Sequence, residues 1–551
     1  MALSLLPMFV SAHYELVVHL ASARPVELDA LFWAVADPKS SKYAQHVSAE
    51  ELRPLAGGTP EAAAEAEAWL RKLGGSDVIV SPLGDRVTAS FDADADKDTS
   101  RWSARGLPLV SSQPPSAALV VRRDFDKPPA AFYRPLPSSM VEAPEFGPSV
   151  NDQKAAYGIP KDLAATDERT TQMVWGPGTF GFSKSQLRAF KFEQSVPINL
   201  DKVKFDTANH GRSGGDNFGE GSLDVRQISS FGLNATTLVS NTNTSSSTEE
   251  GQGFGLAMLD FVSELASRAS VPQVLSLSLG SLSPTSCDKL CTEATKQGGG
   301  AFSLAECRSY LQTQRQVCMF ESSAQAELID RGLQALGLRG VTVVGSSGDG
   351  GSHWSFGPFE GFGAIATALN KVGCEFQFPI YPSPSPYMLS IGGTSWQGDD
   401  PSKPVAWRGS GGGFSWQFGA PAHQHATVAS YLSKTSGLPP ASSYNASGRG
   451  YPDVSAISAE GTSQSSPTVG GIFSLLVDAR LRAGLPPLGF VGTRVWQVAA
   501  AHPGEAFEDV TVGNSKTSCD NGFPATDGWD PVTGWGRPKW EGLLKYFASS
   551  P

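Results

Sequence analysis

The sequence predicts an α/β protein: a parallel sheet flanked by helices, preceded by a small α+β domain. Three observations carry this. With 551 residues the chain exceeds what one ordinary core fills, so two domains are expected. A Pro-rich stretch, residues 127–148 with Pro128, Pro129, Pro135, Pro137, Pro144 and Pro148, reads as an extended linker between them. On its N-terminal side, short strands and helices of mixed burial alternate. On its C-terminal side, short apolar strands are separated by helical stretches, the pattern of a sheet covered on both faces.

In chain order, residues 1–12 (MALSLLPMFVSA) hold an apolar run ending in a small residue without a positive start, and read as a shortened signal peptide or as the start of a strand. Residues 13–126 make the first domain. Residues 14–20 alternate as a strand, 26–36 and 61–73 follow helical periodicity, and 78–80 and 87–91 are short strands. Residues 92–98 are acidic and expected to be exposed. The second domain spans residues 149–551. There, 274–279 and 341–344 are buried strands, the second preceded by a helix over 324–338. Functional groups of such sheets collect beyond the strands' carboxyl ends. The loop Ser346-Ser347-Gly348-Asp349-Gly350-Gly351-Ser352 is one such position.

The net charge of −11 argues against nucleic acid or an anionic membrane as partner, and no stretch approaches the roughly 18 apolar residues that span a bilayer. Of the six cysteines, Cys287, Cys291, Cys307 and Cys318 cluster in a stretch without histidine, and Cys374 and Cys519 lie apart. Zinc would want close pairs with histidine. Disulfides pinning an insertion fit better and place the chain in an oxidising compartment. Sequons at Asn234, Asn243 and Asn445 point the same way.

The segment from Gly461 to Leu476 draws the chemistry. Small residues lead into Pro467, and Val469, Ile472, Phe473, Leu476 and Ala479 recur at helical spacing to about Arg482. Ser463 is thus expected just ahead of a helix that enters the core, beside unpaired N–H groups. That suits a nucleophile whose product carries a negative oxygen, and it equally suits a helix cap. A second Gly-Thr-Ser, Gly393-Thr394-Ser395, runs into Trp396, Gln397, Gly398, Asp399 and Asp400 and reads as a loop.

No histidine sits in a motif fit to serve as base; His210, His353, His423 and His425 fall in Gly/Ser-rich or polar surroundings. Carboxylates offer more. Glu220 and Asp224 are i and i+4 at the start of a helical segment and share one face. Two acids so close share a proton, which keeps a base available in acid; acids at an exposed helix start are the other reading.

Glu220-x-x-x-Asp224, Ser347-Gly348-Asp349 and Gly461-Thr462-Ser463 occur in the order and approximate spacing of the sedolisins, the serine-carboxyl peptidases, and the chain resembles them over most of its length. The likeness is greatest to the tripeptidyl-peptidase branch. It takes in Ala36-Asp37-Pro38-Lys39-Ser40-Ser41-Lys42-Tyr43, Tyr381-Pro382-Ser383-Pro384-Ser385-Pro386-Tyr387 and Ser410-Gly411-Gly412-Gly413-Phe414-Ser415. The resemblance implies a subtilisin-like sheet in which Ser463 is the nucleophile and Glu220 its base. Asp224 would orient Glu220, and a protonated Asp349 would donate to the oxyanion. Ser410, Gly411, Gly412 and Gly413 would lie along the substrate backbone. It further implies one structural Ca2+ held by the Asp509 and Asp530 carboxylates and the Val510, Thr526 and Gly528 carbonyls; Asp-Gly-Trp-Asp alone also reads as a turn.

By the same resemblance the first domain is a prosegment, chaperone and inhibitor, cut off by acid self-processing within the Pro-rich linker. The expected activity is release of tripeptides from free N-termini of peptides and proteins in a lysosome, vacuole or extracellular space. Endopeptidase cleavage and a peptide-binding relative without activity are the alternatives. The departure behind the last is local. Only Ser458, Ala459 and Glu460 separate Tyr451-Pro452-Asp453-Val454-Ser455-Ala456-Ile457 from Gly461, where the family carries a hairpin-sized segment. Residues 287–318 and 354–374 are insertions relative to the family.

Overall fold

The computed structural model describes residues 13–92, 116–124, 148–178, 180–206, 219–242, 253–314, 317–353, 359, 363–398 and 400–549. The expected signal segment, residues 1–12, and almost all of the Pro-rich linker lie outside these residues, as do the acidic run after Asp92, His210 and Asn243.

The second domain is built on an eight-stranded sheet. Asp400–Ala406, Leu389–Gln397, Thr342–Ser346, Val274–Leu277, Thr171–Pro177, Thr236–Thr242 and Val203–Phe205 follow one another, and Val454–Ile457 also pairs with Leu389–Gln397. All pairings are parallel except that of Asp400–Ala406. Side chains of a strand alternate between faces. Val174, Val274 and Val344 accordingly join one core with Val225, Ile228, Val469 and Ile472, from the helices Glu220–Phe231 and Thr462–Arg482. Met173, Trp175, Leu275, Leu277 and Val343 join the other, with Phe261 and Leu336 from the helices Phe254–Ser267 and Ser323–Leu338. Both faces are dry, which explains why these strands read as unbroken apolar runs.

The first domain is an antiparallel sheet in the order Ser76–Val80, Arg86–Asp92, His13–Leu20, Ala117–Asp124. The helix Pro60–Lys72 covers one face, with Ala66 and Leu70 in the core. The other face meets the second domain, with Val17 and Val121 against Leu256. The helix Pro25–Ala36 places Leu28, Phe32 and Val35 in the same core as Leu336, Leu338 and Phe490. Polar links frame this contact: Tyr387 donates to Asp29 (3.0 Å), Arg494 to the Tyr43 hydroxyl (2.7 Å) and Gln497 to Asp37 (3.0 Å).

Several expectations change. The helix expected just beyond Ser463 begins at Thr462, so Pro467 lies inside it. The helix keeps its first turn because Asp349 supplies an acceptor to Thr462 N (2.8 Å), a tertiary bond that local capping signals do not reveal. Gly393-Thr394-Ser395 is strand, within Leu389–Gln397, because paired strands bond it on both sides. The expected strand 274–279 ends at Leu277, and the buried Ser278 beyond it donates to Asp224. The helix Ala49–Ala56, with Pro54 inside it, and the strand Ala117–Asp124 were not foreseen.

The cysteines pair as Cys287–Cys318, Cys291–Cys307 and Cys374–Cys519. The second joins the helices Pro284–Gln297 and Leu304–Thr313 and the first ties the former to the segment at Cys318, around a satellite core, as expected for an insertion. Asn234 and Asn445 sit half-buried, their amides donating to Ala165 O and Ser415 O.

Candidate active site

Two helices of one sheet face bring the reacting groups together. Residues 223–231 of the first pack on residues 469–472 of the second, and the approach is close because Gly471 carries no side chain. A Cβ there would lie 2.6 Å from Gly232 N and 2.7 Å from Phe231 Cβ. The first turns of both helices therefore emerge side by side at the carboxyl edge of the sheet, with Glu220 on one and Ser463 on the other.

Ser463 is half-exposed between fully buried neighbours, Thr462 and Gln464. Its hydroxyl interacts with the Glu220 carboxyl and favours that group's charged form. Its defined hydrogen bond goes to the Ser278 carbonyl at 3.4 Å. Such bonds at resting catalytic hydroxyls are often long and tighten only around substrate. Asp224 lies one turn below Glu220, wholly buried, and accepts from Ser278 Oγ at 2.8 Å. One oxygen of each, Glu220 Oε1 and Asp224 Oδ2, is buried without a hydrogen-bond partner among the described residues. Burial holds both carboxyls above their usual range, and the charge of Glu220 pushes Asp224 further up. Both effects favour a proton kept between the two.

Asp349 reaches the same place from the loop after Thr342–Ser346. Its Oδ1 accepts from both the N–H and the hydroxyl of Thr462, each at 2.8 Å, and Thr462 Oγ1 in turn accepts from Gly348 N at 3.1 Å. The residue as a whole stays exposed at its loop. Crowding of its carboxyl by protein raises it above the usual carboxylate range, and the two Thr462 bonds oppose that rise. Gly461 completes the corner with a φ of +86° and Asp349 Oδ2 only 2.7 Å from where a Cβ would stand.

Four hydrogen bonds hold the three-residue connection ahead of Gly461. Ala459 N and Glu460 N both donate to Gln464 Oε1 (2.7 and 3.0 Å), Ser458 Oγ donates to Gly461 O (2.6 Å), and Ser458 N joins Thr394 O (2.9 Å).

Sequence reading missed Ser278, Thr462 and Gln464. Ser278 had one signal, its alternation with Ser276 in an otherwise apolar strand.

Among the described residues, His353, His423 and His425 lie away from this corner. His353 is buried between the carbonyls of Asn521 (2.6 Å) and Phe376 (3.2 Å), His423 packs at a tilt against Trp33 and Trp496, and His425 bonds Ala420 O.

Ser410, Gly411, Gly412 and Gly413, expected along the substrate backbone, run past the Asp349 loop. All four are buried. Gly411 N and Gly412 N donate to Gly348 O and Gly351 O, and Ser410 Oγ donates to Val532 O at 2.6 Å while accepting from Gly393 N. Gly411 approaches the backbone of the Asp349 loop at Ser347 O and Gly348 O, Gly412 that of Pro531, and Gly413 the Gln377 side chain.

At the other predicted site, Asp530 is fully buried. Its Oδ1 accepts from Val532 N and Thr533 N, and its Oδ2 from Thr526 N. Asp509 Oδ2 accepts from Gly528 N at 2.6 Å, while its Oδ1 is buried without a partner. Burial pushes Asp509 up to about 6 and Asp530 up to about 8, each against backbone hydrogen bonds that lower it. No group of three or more His, Cys, Asp or Glu gathers among the described residues, so a cation here would rely on two carboxylates and carbonyls. Two carboxylates held near each other, one with an orphaned oxygen, fit a hard divalent ion.

Residues 10–96 match the family model of the pro-kumamolisin activation domain. Tripeptidyl-peptidase 1 of Homo sapiens is 38% identical over 248 residues, 41% of this chain and 40% of the relative. This match therefore spans two fifths of that relative's length. Tripeptidyl-peptidase 1 of Mus musculus is 28% identical over 569 residues, 94% of this chain and 88% of the relative. Among solved structures, Pseudomonas sedolisin complexed with pseudo-iodotyrostatin is similar at a TM-score of 0.49 and 20% identity, covering 73% of this chain and 97% of that one. By the activation-domain match and these relatives, the chain is similar to the sedolisin family of serine-carboxyl peptidases.

Proposed function

We propose that this chain is the precursor of an acid serine-carboxyl peptidase that releases tripeptides from free N-termini. One observation carries the reading: Ser463, Glu220 and Asp224 meet at the first turns of two packed helices, with Asp349 fastened to the same corner. Ser463 Oγ adds to the scissile carbonyl carbon as its proton passes to Glu220, and Asp224 takes up part of that charge change through the shared proton. Asp349, neutral in acid, donates to the developing oxyanion together with the Ser463 N–H. Collapse breaks the C–N bond, the leaving amine takes the proton from Glu220, and water then releases the tripeptide and restores Ser463. The hydrogen-bonded turn before Gly461 supports an active enzyme over a peptide-binding relative.

The Asp509 and Asp530 carboxylates, with the Val510, Thr526 and Gly528 carbonyls, would hold Ca2+, which supplies charge balance and rigidity to the C-terminal loops and takes no step in the reaction. The first domain acts as the prosegment, cut within residues 127–148. Disulfides suit the secretory pathway, ending in an acidic compartment or outside the cell. No helix among the described residues is long and apolar enough to cross a membrane.

The test is hydrolysis by purified precursor after acidification to about pH 4, within the range of carboxyl titration. A free-amine tripeptide reporter is compared with its N-blocked form, and Ser463→Ala is the control. Cleavage of the free form alone, lost in Ser463→Ala, is expected. Cleavage of longer blocked peptides would replace this reading with an endopeptidase, and no Ser463-dependent cleavage would leave a binding protein.

A further inference from the structure

Glu220 and Ser463 stand on different helices, and their separation must be fixed near the helix ends, where intrahelical bonds are missing. Deep in the pair, side-chain packing does this. Higher up, Thr468 Oγ1 donates to Gln227 at 3.3 Å. Above that, Arg226 of the Glu220 helix forms an ion pair with Glu460 of the short turn before the nucleophile. Arg226 is partly buried, its guanidinium 5.5 Å from the Phe190 ring centre, and Glu460 is tied back through its N–H to Gln464. The pair therefore joins the element carrying the base to the one carrying the nucleophile. It is the ion pair that the described residues place between these two elements.

We infer that Arg226 and Glu460 are positioning residues, a brace that holds Glu220 in register with Ser463 across the three-residue turn. The brace lies close enough to matter electrostatically as well. Glu220 is surrounded by Asp224 on its own helix, Asp349 from the loop and Glu460 from the turn, while Arg226 faces Asp224. Removing the Glu460 charge relieves one of the negative neighbours of Glu220, so that Glu220 releases its proton at lower pH.

This inference rests on the peptidase reading, and the experiment separates the two. Glu460→Gln, Arg226→Gln and the double exchange Arg226→Glu/Glu460→Arg are compared with wild type. The brace predicts that each single variant loses about tenfold in kcat with KM within about twofold, since small misplacements of reacting groups are costly. The double exchange recovers most of kcat. The limb of the pH profile belonging to Glu220 and Asp224 moves to lower pH in Glu460→Gln. Amide exchange at Ala459 and Glu460 speeds up in both single variants and slows again in the double exchange. Single variants with wild-type kcat and unchanged exchange overturn the brace, as does a double exchange no better than either single. If wild type shows no Ser463-dependent cleavage, the peptidase reading falls and the amide exchange alone decides the brace.

Discussion

Asp349 and Asp224 place opposite demands on the medium. In the proposed mechanism the first must hold a proton to donate to the oxyanion, whereas the pair Glu220–Asp224 must lose one to act as base. Activity is then bell-shaped in pH, its acid limb set by the pair and its alkaline limb by Asp349. Asp224→Asn removes the partner that the Glu220 charge pushes up, so the two coupled titrations of the acid limb of kcat/KM are expected to become one. Asp349→Asn keeps a donor at any pH, and its alkaline limb is expected to move upward, while Asp349→Ala loses roughly 10²–10³-fold in kcat. Glu220→Gln loses roughly 10²–10⁴-fold, with little change in KM or melting temperature. Spacing alone put Glu220 over Asp224 and linked Gly-Thr-Ser to a helix, whereas the roles proposed for these residues and for Asp349 rest on the resemblance. Ser278 and Thr462 were not legible in sequence: their partners, Asp224 and Asp349, lie 54 and 113 positions away.

The helices of the site were legible in their apolar periodicity and illegible at their ends. Val469, Ile472 and Leu476 announced the core face, but the start at Thr462 depends on a carboxylate from another loop, which no local signal carries. The buried strands were easier to read where Val, Leu and Ser alternate, as at Val274–Leu277, than where Pro or Gly ends them, as at Thr171–Pro177. Gly471 sets how closely the two catalytic helices approach. Gly471→Ala puts a methyl against the backbone of Gly232, an overpacking that costs roughly 1–3 kcal/mol. A fall of several degrees in melting temperature is expected, with a kcat loss larger than the change in KM because Glu220 moves away from Ser463. A variant of unchanged kcat would show that the helix tops adjust independently of the packing below.

Two predictions concern the molecule as a whole. Ca2+ is expected to raise the melting temperature, by about 2.7 kcal/mol of stabilisation at a hundredfold excess over its Kd, with chelator reversing the effect and Asp530→Asn removing it. His46 of the first domain is buried against the second, paired with Pro487 O at 3.0 Å, while its Nδ1 has no partner among the described residues. Burial and, to a lesser extent, the Arg480 charge hold it below its ordinary value of 6.5, against the opposing Pro487 bond. The undocked imidazole then binds the extra proton more readily than the docked one, so docking is unaffected well above pH 6.5 and weakens as pH falls through that value. His46→Leu is expected to hold the first domain to lower pH, read as the pH at which it separates from the second. An unchanged pH of separation would remove His46 from the release.

The shared core of Leu28, Phe32 and Val35 with Leu336, Leu338 and Phe490 has a further consequence. Cutting the backbone and parting the fragments are two separate events, because nothing in that contact depends on chain continuity. A nicked molecule at neutral pH should travel through a sizing column as one particle, its two pieces appearing only under denaturation. Once they do part, the bared apolar strip becomes a surface that must find other cover.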